Sequence, residues 1–149
     1  MKKIISHRGN INGREAYKEN RPDFIEQAYS KGFDVEIDVW FVGGEWFLGH
    51  DEPEYPISES FLKRDGYWCH AKNIEAFEEL LNIDATCFWH ESDRHTLTSN
   101  GFIWTYPGMP LTTRSICVMP ENYSACSQDL TFCAGICTDY PIRYKEEVE

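Results

Sequence analysis

The sequence predicts an α/β protein organised around a largely parallel sheet. Short apolar segments alternate with helical segments through the first half of the 149-residue chain, and this alternation favours parallel strands joined by crossover helices. No internal repeat, low-complexity tract or linker divides the chain. We therefore expect one domain over residues 1–149, long enough for a single hydrophobic core.

The first strand and helix follow from residues 4 to 32. An apolar strand is predicted over Ile4–Ser6 and a helix over Pro22–Lys31. Proline suits the first helical turn, and Asp23 is favourable at the positive helix terminus. Gly32 then predicts a C-cap, because glycine adopts the left-handed backbone conformation without strain.

The second strand, predicted over Asp34–Phe41, alternates strictly between apolar and polar residues. Glu36 and Asp38 therefore share one face, about 7 Å apart at Cα. A Gly-Gly pair follows and predicts a tight turn into a hairpin strand over Glu45–Leu48. The opposite, apolar face carries Val35, Ile37 and Val39.

The rest of the chain contains more strands than helices. A third strand over Tyr67–Ala71 precedes a helix that Asn73 caps, in which apolar residues recur at helical spacing. A complete (β/α)8 barrel usually needs about 250 residues. The chain is therefore predicted to form a small, reduced TIM-like (β/α) barrel in which several outer helices are shortened or missing. Its further strands are predicted over Ala85–His90, Phe102–Thr105, Ile116–Met119 and Gly135–Thr138.

Charge and hydropathy limit the partners. The formal net charge of −11 argues against nucleic acids and anionic membranes, which select basic surfaces. No run is long and apolar enough to cross a membrane. Lys2 and Lys3 precede only a short apolar stretch before Ser6, so no secretory signal is predicted and a cytoplasmic location is expected. The oligomeric state is not indicated.

The six cysteines are expected to be free thiols. None forms a Cys-x-x-Cys pair, which argues against a zinc ribbon. Cys126 and Cys133 lie in a looser region and could pair if the protein were exported. The other four lie inside predicted strands, where cysteine packs as a small apolar residue: Cys69, Cys87, Cys117 and Cys137.

Charged and imidazole side chains recur at the predicted strand ends. His7 and Arg8 directly follow the first strand, where barrel enzymes place catalytic groups. Glu36 and Asp38 offer hard oxygen ligands that suit Mg²⁺ or Ca²⁺. A metal would offset their repulsion, since one of two unpaired buried carboxylates would otherwise protonate. In the alternative interpretation no metal is needed, because the side chains of Arg8 and Lys72 form ion pairs with the two acids.

A second histidine, His50, comes at the end of the hairpin strand. One histidine that takes a proton while another gives one is the arrangement needed for in-line phosphoryl transfer to water. Together with His7, the paired carboxylates and an arginine, it supplies the parts needed to cleave a phosphodiester on a divalent metal.

The order and spacing of these motifs resemble the glycerophosphodiester phosphodiesterase family, within the PLC-like phosphodiesterase superfamily. Phe102–Thr105 is also similar to the family's late strand with Trp-Thr, and Gly135–Pro141 to its closing Thr-Asp-x-Pro strand. The first third of the chain is the most specific part of the match. The motifs that carry it are His7-Arg8-Gly9, Glu19-Asn20, Glu36-x-Asp38 and His50-Asp51.

The resemblance implies a hydrolase of lipid metabolism that depends on a divalent metal cation, Mg²⁺ or Ca²⁺. Its substrate would be a small-molecule phosphodiester. It also implies a role for each matching residue. These roles are acid–base catalysis for His7 and His50, metal binding for Glu36, Asp38 and Glu19, and phosphate binding for Arg8, Lys72 and Asn20.

The third strand departs from the family pattern. The family carries Glu-x-Lys there, whereas this chain has His70-Ala71-Lys72, so the lysine is kept and histidine replaces the glutamate. His70 lies on the same strand face as Lys72 and could ligate the metal through an imidazole nitrogen or bind a metal-bound water. Alternatively, His90 and Glu91 could supply the missing ligand.

We expect hydrolysis of a glycerophosphodiester-like molecule to a phosphomonoester and an alcohol. Two alternatives are left open. In a phosphodiester lyase, related to phospholipase D-like and phosphoinositide-cleaving groups, a neighbouring substrate hydroxyl attacks and a cyclic phosphate results. A non-catalytic phosphate-binding module would keep the pocket after losing the glutamate at position 70, although binding alone would not need both His7 and His50.

Overall fold

The computed structural model describes residues 2–122 and 129–148. No helix among them is long and apolar enough to cross a membrane. The helices are α1 Pro22–Ser30, α2 Glu59–Leu62, α3 Ile74–Asn82 and α4 Pro141–Val148, with a short 3-10 helix at Pro120–Asn122. The strands are β1 Lys3–His7, β2 Asp34–Val42, β3 Glu45–Leu48, β4 Tyr55–Ile57, β5 Tyr67–Ala71, β6 Cys87–Phe88, β7 His95–Leu97, β8 Ile103–Thr105, β9 Ser115–Val118 and β10 Gly135–Thr138.

These strands form one mixed sheet. Their order is β4-β3-β2-β1-β10-β9-β8-β7, with β5 and β6 branching from β2. Parallel pairing joins β1 to β2 and β10, β2 to β5, β5 to β6, and β9 to β8 and β10. The antiparallel pairs are β2–β3, β3–β4 and β7–β8. The predicted α/β class with a largely parallel sheet is confirmed.

The sheet is curled, so that side chains from distant strands meet on its concave face. Trp104 on β8 stacks on Phe88 of β6 at a ring-centroid distance of 4.4 Å and lies 5.9 Å from Trp68 of β5. Ser99 N donates to Cys87 O, and Cys87 N donates to Ser99 Oγ, both at 2.8 Å. Within the described residues no strand pairing joins β6 to β7 or β8. These contacts therefore bring the two edges together without forming a closed ladder.

The convex face of the sheet carries the larger hydrophobic core. Val35, Ile37 and Val39 of β2 are fully buried, in one cluster with Ile25 of α1 and Leu80 of α3. Burial of such a side chain contributes about 1.5–3 kcal/mol relative to an exposed position. The alternation predicted for the second strand is confirmed, because its acidic residues lie on the opposite face.

Most predicted elements are present, and the differences are local. The predicted strand Ala85–His90 is reduced to Cys87–Phe88. Beyond it, the backbone oxygen of His90 accepts a hydrogen bond from the side chain of His70 on β5, and not from a backbone N–H as in a strand ladder. The sequence did not predict β4, β7, α2 or α4. The sequence signal for α4 is a proline at the first helical position. A proline there is compatible with a helix but does not by itself specify one.

The five cysteines within the described residues are buried, and none of them forms a disulfide there. Burial raises the pKa of the Cys69 and Cys137 thiols well above the usual range, which keeps them protonated. The expectation that strand cysteines pack as small apolar residues is confirmed. Cys126 lies outside the described residues, so a pairing with Cys133 is not tested, and the cytoplasmic location stays a prediction.

A turn that requires glycine follows β1. Gly9 has φ +93°, and a Cβ atom there would lie 2.7 Å from Cδ2 of Phe24 in α1. We predict that Gly9→Ala lowers the free energy of unfolding by about 3 kcal/mol, since it combines backbone strain with overpacking. Urea-induced unfolding measures this change.

The matched control for this prediction is Gly43→Ala. Gly43 also has a positive φ, +60°, but among the described residues, its two chain neighbours apart, none comes within 4 Å of the added Cβ. Its substitution should cost only about 1 kcal/mol, from the left-handed backbone alone. Equal losses in the two variants would contradict the steric role of the turn after β1.

Candidate active site

Most of the predicted site residues meet at the carboxyl ends of the parallel strands, on the concave face of the sheet. The register places His7 of β1 beside Glu36 of β2, and Asp38 beside His70 of β5. Paired positions of parallel strands point to the same face, so these side chains converge. A cleft of about 320 Å³ opens here and is lined by His7, Arg8, Glu36, His50, His70, Lys72, His90, Glu91, Trp104 and Val118.

The backbone after β1 bends so that Arg8 turns towards β2. Arg8 has φ +57°, a strained value for arginine. Its N donates to the Glu36 carbonyl at 2.9 Å, and its own carbonyl accepts from Asn20 N at 3.1 Å. These two hydrogen bonds hold the bend and bring the guanidinium Nε to 3.0 Å from Oδ2 of Asp38.

Asp38 is fully buried and is contacted from several sides. Asn20, which was predicted to bind phosphate, is itself buried: its Nδ2 donates to Asp38 Oδ2 at 2.8 Å, and Asp38 N donates to Asn20 Oδ1 at 3.0 Å. Burial alone would raise the pKa of Asp38. Close contacts with the His50 and His70 imidazoles, together with the charge of Arg8, instead hold that pKa well below the usual range. Asp38 is therefore ionised at neutral pH.

Glu36 lies on the same strand face but lacks such partners. Its Oε2 is buried and makes no hydrogen bond within the described residues. Burial, together with the negative charge of Asp38, raises the pKa of Glu36. A buried oxygen without a partner is destabilising by about 1–3 kcal/mol, and a bound cation would remove that penalty.

His70 approaches the two acids from β5 with a fixed ring orientation. Its Nε2 lies 2.9 Å from the backbone oxygen of His90, which can only accept, so Nε2 carries a hydrogen. The ring stacks on Phe88 at a centroid distance of 5.0 Å. Nδ1 consequently faces Asp38 Oδ1 at 3.2 Å. That contact is not a hydrogen bond, because Oδ1 has no such partner among the described residues.

Glu36, Asp38 and His70 form what we call the acid–imidazole cluster, which fits a divalent metal. One potential ligand atom from each residue lies within 4.8 Å of the others. Two buried oxygens of the cluster have no hydrogen-bond partner in the described part of the chain, and a cation would satisfy both. Of the ion pairs that Arg8 and Lys72 could form with the two acids, the described residues contain the one between Arg8 and Asp38. No ion pair to Lys72 is present among residues 2–122 and 129–148.

His7 is oriented by a carboxylate that is distant in sequence. Its Nδ1 lies 2.8 Å from Oδ1 of Asp139, the residue after β10. Burial opposes the protonated ring, but the hydrogen bond to Asp139 and the charge of Glu36 outweigh it and raise the pKa of His7. Nδ1 donates to the carboxylate, which leaves Nε2 for proton transfer.

Glu19 lies outside the acid–imidazole cluster and belongs, with His7 and Asp139, to a second group whose potential ligand atoms lie within 4.8 Å of one another. Asn10 Nδ2 donates to Glu19 Oε2 at 2.7 Å and to Asp139 Oδ1 at 2.9 Å. Arg8 and Arg14 each lie 3.5 Å from Glu19 Oε1. Because hydrogen bonds and ion pairs already satisfy this carboxylate, the geometry favours a supporting role for Glu19 over metal ligation.

His50 follows the hairpin and forms the more exposed wall of the cleft, with 43% of its side chain accessible. Its Nδ1 accepts a hydrogen bond from Arg8 Nη2 at 2.7 Å. The hairpin end is fixed by the Trp40 indole, whose Nε1 donates to the Gly49 carbonyl at 2.7 Å. The two histidines predicted for acid–base catalysis thus line the same cleft with different partners.

The residues considered as replacement ligands line the cleft beside β6. His90 binds His70 through its backbone oxygen, while its ring Nδ1 lies 2.9 Å from Asp93 Oδ2. Glu91 and Lys72 are also lining residues. Neither His90 nor Glu91 belongs to the acid–imidazole cluster, so the structure brings His70, and not these residues, to the acids.

Two residues of the site, Asn10 and Asp139, have no predicted role. Asp139 directly follows a strand at the same sheet edge as His7, and that position is the signal that could have identified it. Asn10 is fully buried and bridges two acids. It carries no comparable signal in the sequence, because its role arises only from tertiary contacts.

A larger concavity, of about 500 Å³, lies at the opposite end of the strands. Lys3, Asp34 and Asp65 line it, without histidine. Asp34 is engaged there by the Trp68 indole, whose Nε1 donates to its Oδ2 at 2.9 Å. The smaller cleft, which the histidines line, is therefore the better candidate for acid–base and metal chemistry.

In comparisons with protein-family models, curated proteins and solved structures, nothing matches this chain. The resemblance to glycerophosphodiester phosphodiesterases therefore stays a prediction. The functional interpretation depends on the geometry of the cleft residues themselves.

We predict that Asp139→Asn lowers the pKa of His7, because it removes the negative charge that stabilises the protonated ring. In an NMR titration, His7 of the variant should deprotonate at lower pH than in the wild type. Asp65→Asn, which changes an exposed acid at the opposite end of the strands, should leave the His7 titration unchanged. An unaltered His7 pKa in Asp139→Asn would contradict the pairing.

Proposed function

We propose that this protein is a metal-dependent phosphodiesterase of the glycerophosphodiester phosphodiesterase type. It would hydrolyse a glycerophosphodiester-like small molecule to a phosphomonoester and an alcohol. One observation carries the proposal: a single cleft combines two histidines, an unsatisfied acid–imidazole cluster and two basic side chains. We further interpret the curled sheet as a reduced TIM-like barrel, a fold whose active sites lie at this end of the strands.

The acid–imidazole cluster would hold a divalent cation, for which the carboxylates alone suggest Mg²⁺ or Ca²⁺. When bound, the cation supplies positive charge against the negative charge that develops on the phosphate. Arg8 and Lys72 line the same cleft and would bind phosphate oxygens. A volume of about 320 Å³ suits a small phosphodiester rather than a polymer.

We assign His50 to the activation of water. In the structure its Nδ1 accepts a hydrogen bond from Arg8. A phosphate competes for the guanidinium and would free Nδ1 to accept a proton from the attacking water. His7, with its raised pKa, would hold a proton on Nε2 and pass it to the leaving alkoxide.

An assay of the purified protein against bis(p-nitrophenyl) phosphate and glycerophosphocholine, with Mg²⁺, Ca²⁺ or Mn²⁺ added, tests the proposal. Phosphorus NMR of the products distinguishes the reactions. A monoester supports the hydrolase, whereas a cyclic ester identifies a lyase. Phosphodiester binding without turnover under every metal condition would overturn the enzymatic proposal and leave a binding module.

We predict that His7→Ala and His50→Ala each lower kcat by roughly 10²- to 10⁴-fold, the usual effect of removing a general acid or base. Steady-state kinetics with bis(p-nitrophenyl) phosphate measures the loss. His95→Ala is the matched control, since His95 is exposed on β7 and bonds only to the Pro110 carbonyl among the described contacts. Near-full activity of a His7 or His50 variant would remove that residue from the mechanism.

We predict that removal of metal with EDTA abolishes turnover and that Glu36→Gln weakens metal binding without loss of stability. Glu36 Oε2 has no hydrogen bond to lose among the residues that the structure describes, and the amide ends the repulsion with Asp38. Calorimetric titration gives the metal affinity and thermal unfolding of the metal-free protein gives the stability. Asp38→Asn is the contrasting variant, because it also breaks the buried pair with Arg8 and should destabilise by about 3–5 kcal/mol.

Full turnover of EDTA-treated protein would contradict the metal dependence. Unchanged metal affinity in Glu36→Gln would instead exclude Glu36 as a ligand. The two measurements therefore separate the need for a metal from the identity of the residues that hold it.

A further inference from the structure

The acid–imidazole cluster offers a mixed set of donor atoms. Glu36 and Asp38 contribute carboxylate oxygen and His70 contributes ring nitrogen, with one atom from each within 4.8 Å of the others. The two acids are at most 3% exposed. Glu36 Oε2 and Asp38 Oδ1 lack hydrogen bonds within the described residues, which is rare for buried oxygens. These unpartnered atoms are independent evidence for a bound cation.

Hydrogen bonding fixes which nitrogen of His70 faces the acids. Nε2 donates to the His90 carbonyl, so Nδ1 is directed towards Asp38 Oδ1 at 3.2 Å without a hydrogen bond between them. Lone pairs on both atoms would repel at this distance, and a shared cation would turn that repulsion into two ligand bonds. Metal-binding histidines commonly donate their other N–H to a backbone carbonyl in this way.

The carbonyl that orients His70 is itself held in place. His90 Nδ1 lies 2.9 Å from Asp93 Oδ2, and Glu91 N donates to Asp93 Oδ1 at 3.0 Å. On one face, the His70 ring stacks on Phe88 with an interplanar angle of 13°. The nitrogen donor is thus preorganised by the chain after β6, in the manner of a ligand rather than of a mobile surface histidine.

We propose that this centre selects a first-row transition-metal dication, from Mn²⁺ to Zn²⁺, over Ca²⁺ and Mg²⁺. Imidazole nitrogen suits Fe, Ni, Cu and Zn, and carboxylate oxygen also suits Mn. Ca²⁺ instead takes 6–8 oxygen ligands, and Mg²⁺ prefers oxygen and retains its waters. The inference rests on the metal centre of the proposed function but not on the phosphodiesterase reaction, and it departs from the Mg²⁺ or Ca²⁺ suggested by the carboxylates alone.

Metal-free full-length protein, titrated calorimetrically at one pH with Mn²⁺, Zn²⁺, Ca²⁺ and Mg²⁺ in turn, tests this selectivity. We expect Mn²⁺ and Zn²⁺ to bind tighter than Ca²⁺ by on the order of tenfold or more. Pulsed EPR of the bound Mn²⁺ should show coupling to a nitrogen nucleus, since Nδ1 of His70 is a direct ligand. This spectrum needs no variant and is informative even where a substitution prevents folding.

His70→Glu converts the donor set to oxygen only. It should abolish the nitrogen coupling and reduce the preference for Mn²⁺ over Ca²⁺ by on the order of tenfold. His95→Glu is the matched control, because the His95 ring also lies within hydrogen-bond distance of a backbone carbonyl, that of Pro110, but belongs to neither group of potential metal ligands found among the described residues. It should change neither readout.

The outcomes separate this inference from the proposed function. Ca²⁺ or Mg²⁺ binding as tight as Mn²⁺ and Zn²⁺, or bound Mn²⁺ without nitrogen coupling, overturns the inference while a metal-dependent phosphodiesterase stands. Absence of binding by all four cations overturns both the inference and the metal dependence of the proposed function.

Discussion

Two carboxylates on one buried face of one strand are the constraint around which the rest of the cleft is arranged. The alternation that sends the apolar residues of β2 into the helical layer forces Glu36 and Asp38 to the inside. One of them, Asp38, is contacted by Arg8 and Asn20, which stabilise its ionised form. Glu36 is left with an unsatisfied oxygen. The strained backbone of Arg8 follows from this arrangement, because an extended residue there would direct the guanidinium elsewhere.

The two nine-residue helices, α1 and α3, pack against the same part of the sheet. α1 and α3 cover β2 and its neighbours, where the apolar side chains are. On the other part, short connections and the antiparallel strand β7 replace helices. The concave face is closed beneath the cleft by stacked aromatic rings, chiefly Trp68, Phe88 and Trp104. These rings form an apolar floor beside the buried acids, and charge interactions are stronger in such surroundings than in water.

Local signals explain what could be predicted from the sequence. The alternation of β2, the Gly-Gly turn and the capped helix α3 are specified by neighbouring residues, and all three are present. Strands of three residues such as β4 and β7 have too little periodicity to be recognised. In the site, residues at strand ends could be located, whereas Asn10 and the His90 carbonyl could not, because their roles depend on tertiary contacts.

The pairing of β1 with both β2 and β10 shapes how the chain reaches its native state during synthesis. Strand β2 can pair with one edge of β1 early in synthesis, whereas the other edge stays unpaired until residues 135–138 have been made. Until then the nascent chain exposes an unpaired strand edge, a feature that promotes association with other chains. The same delay applies to His7, whose partner Asp139 is 132 positions later. The orientation of the His7 ring is therefore acquired late, when β10 pairs with β1, so that a partly synthesised chain holds its first histidine without the group that orients it.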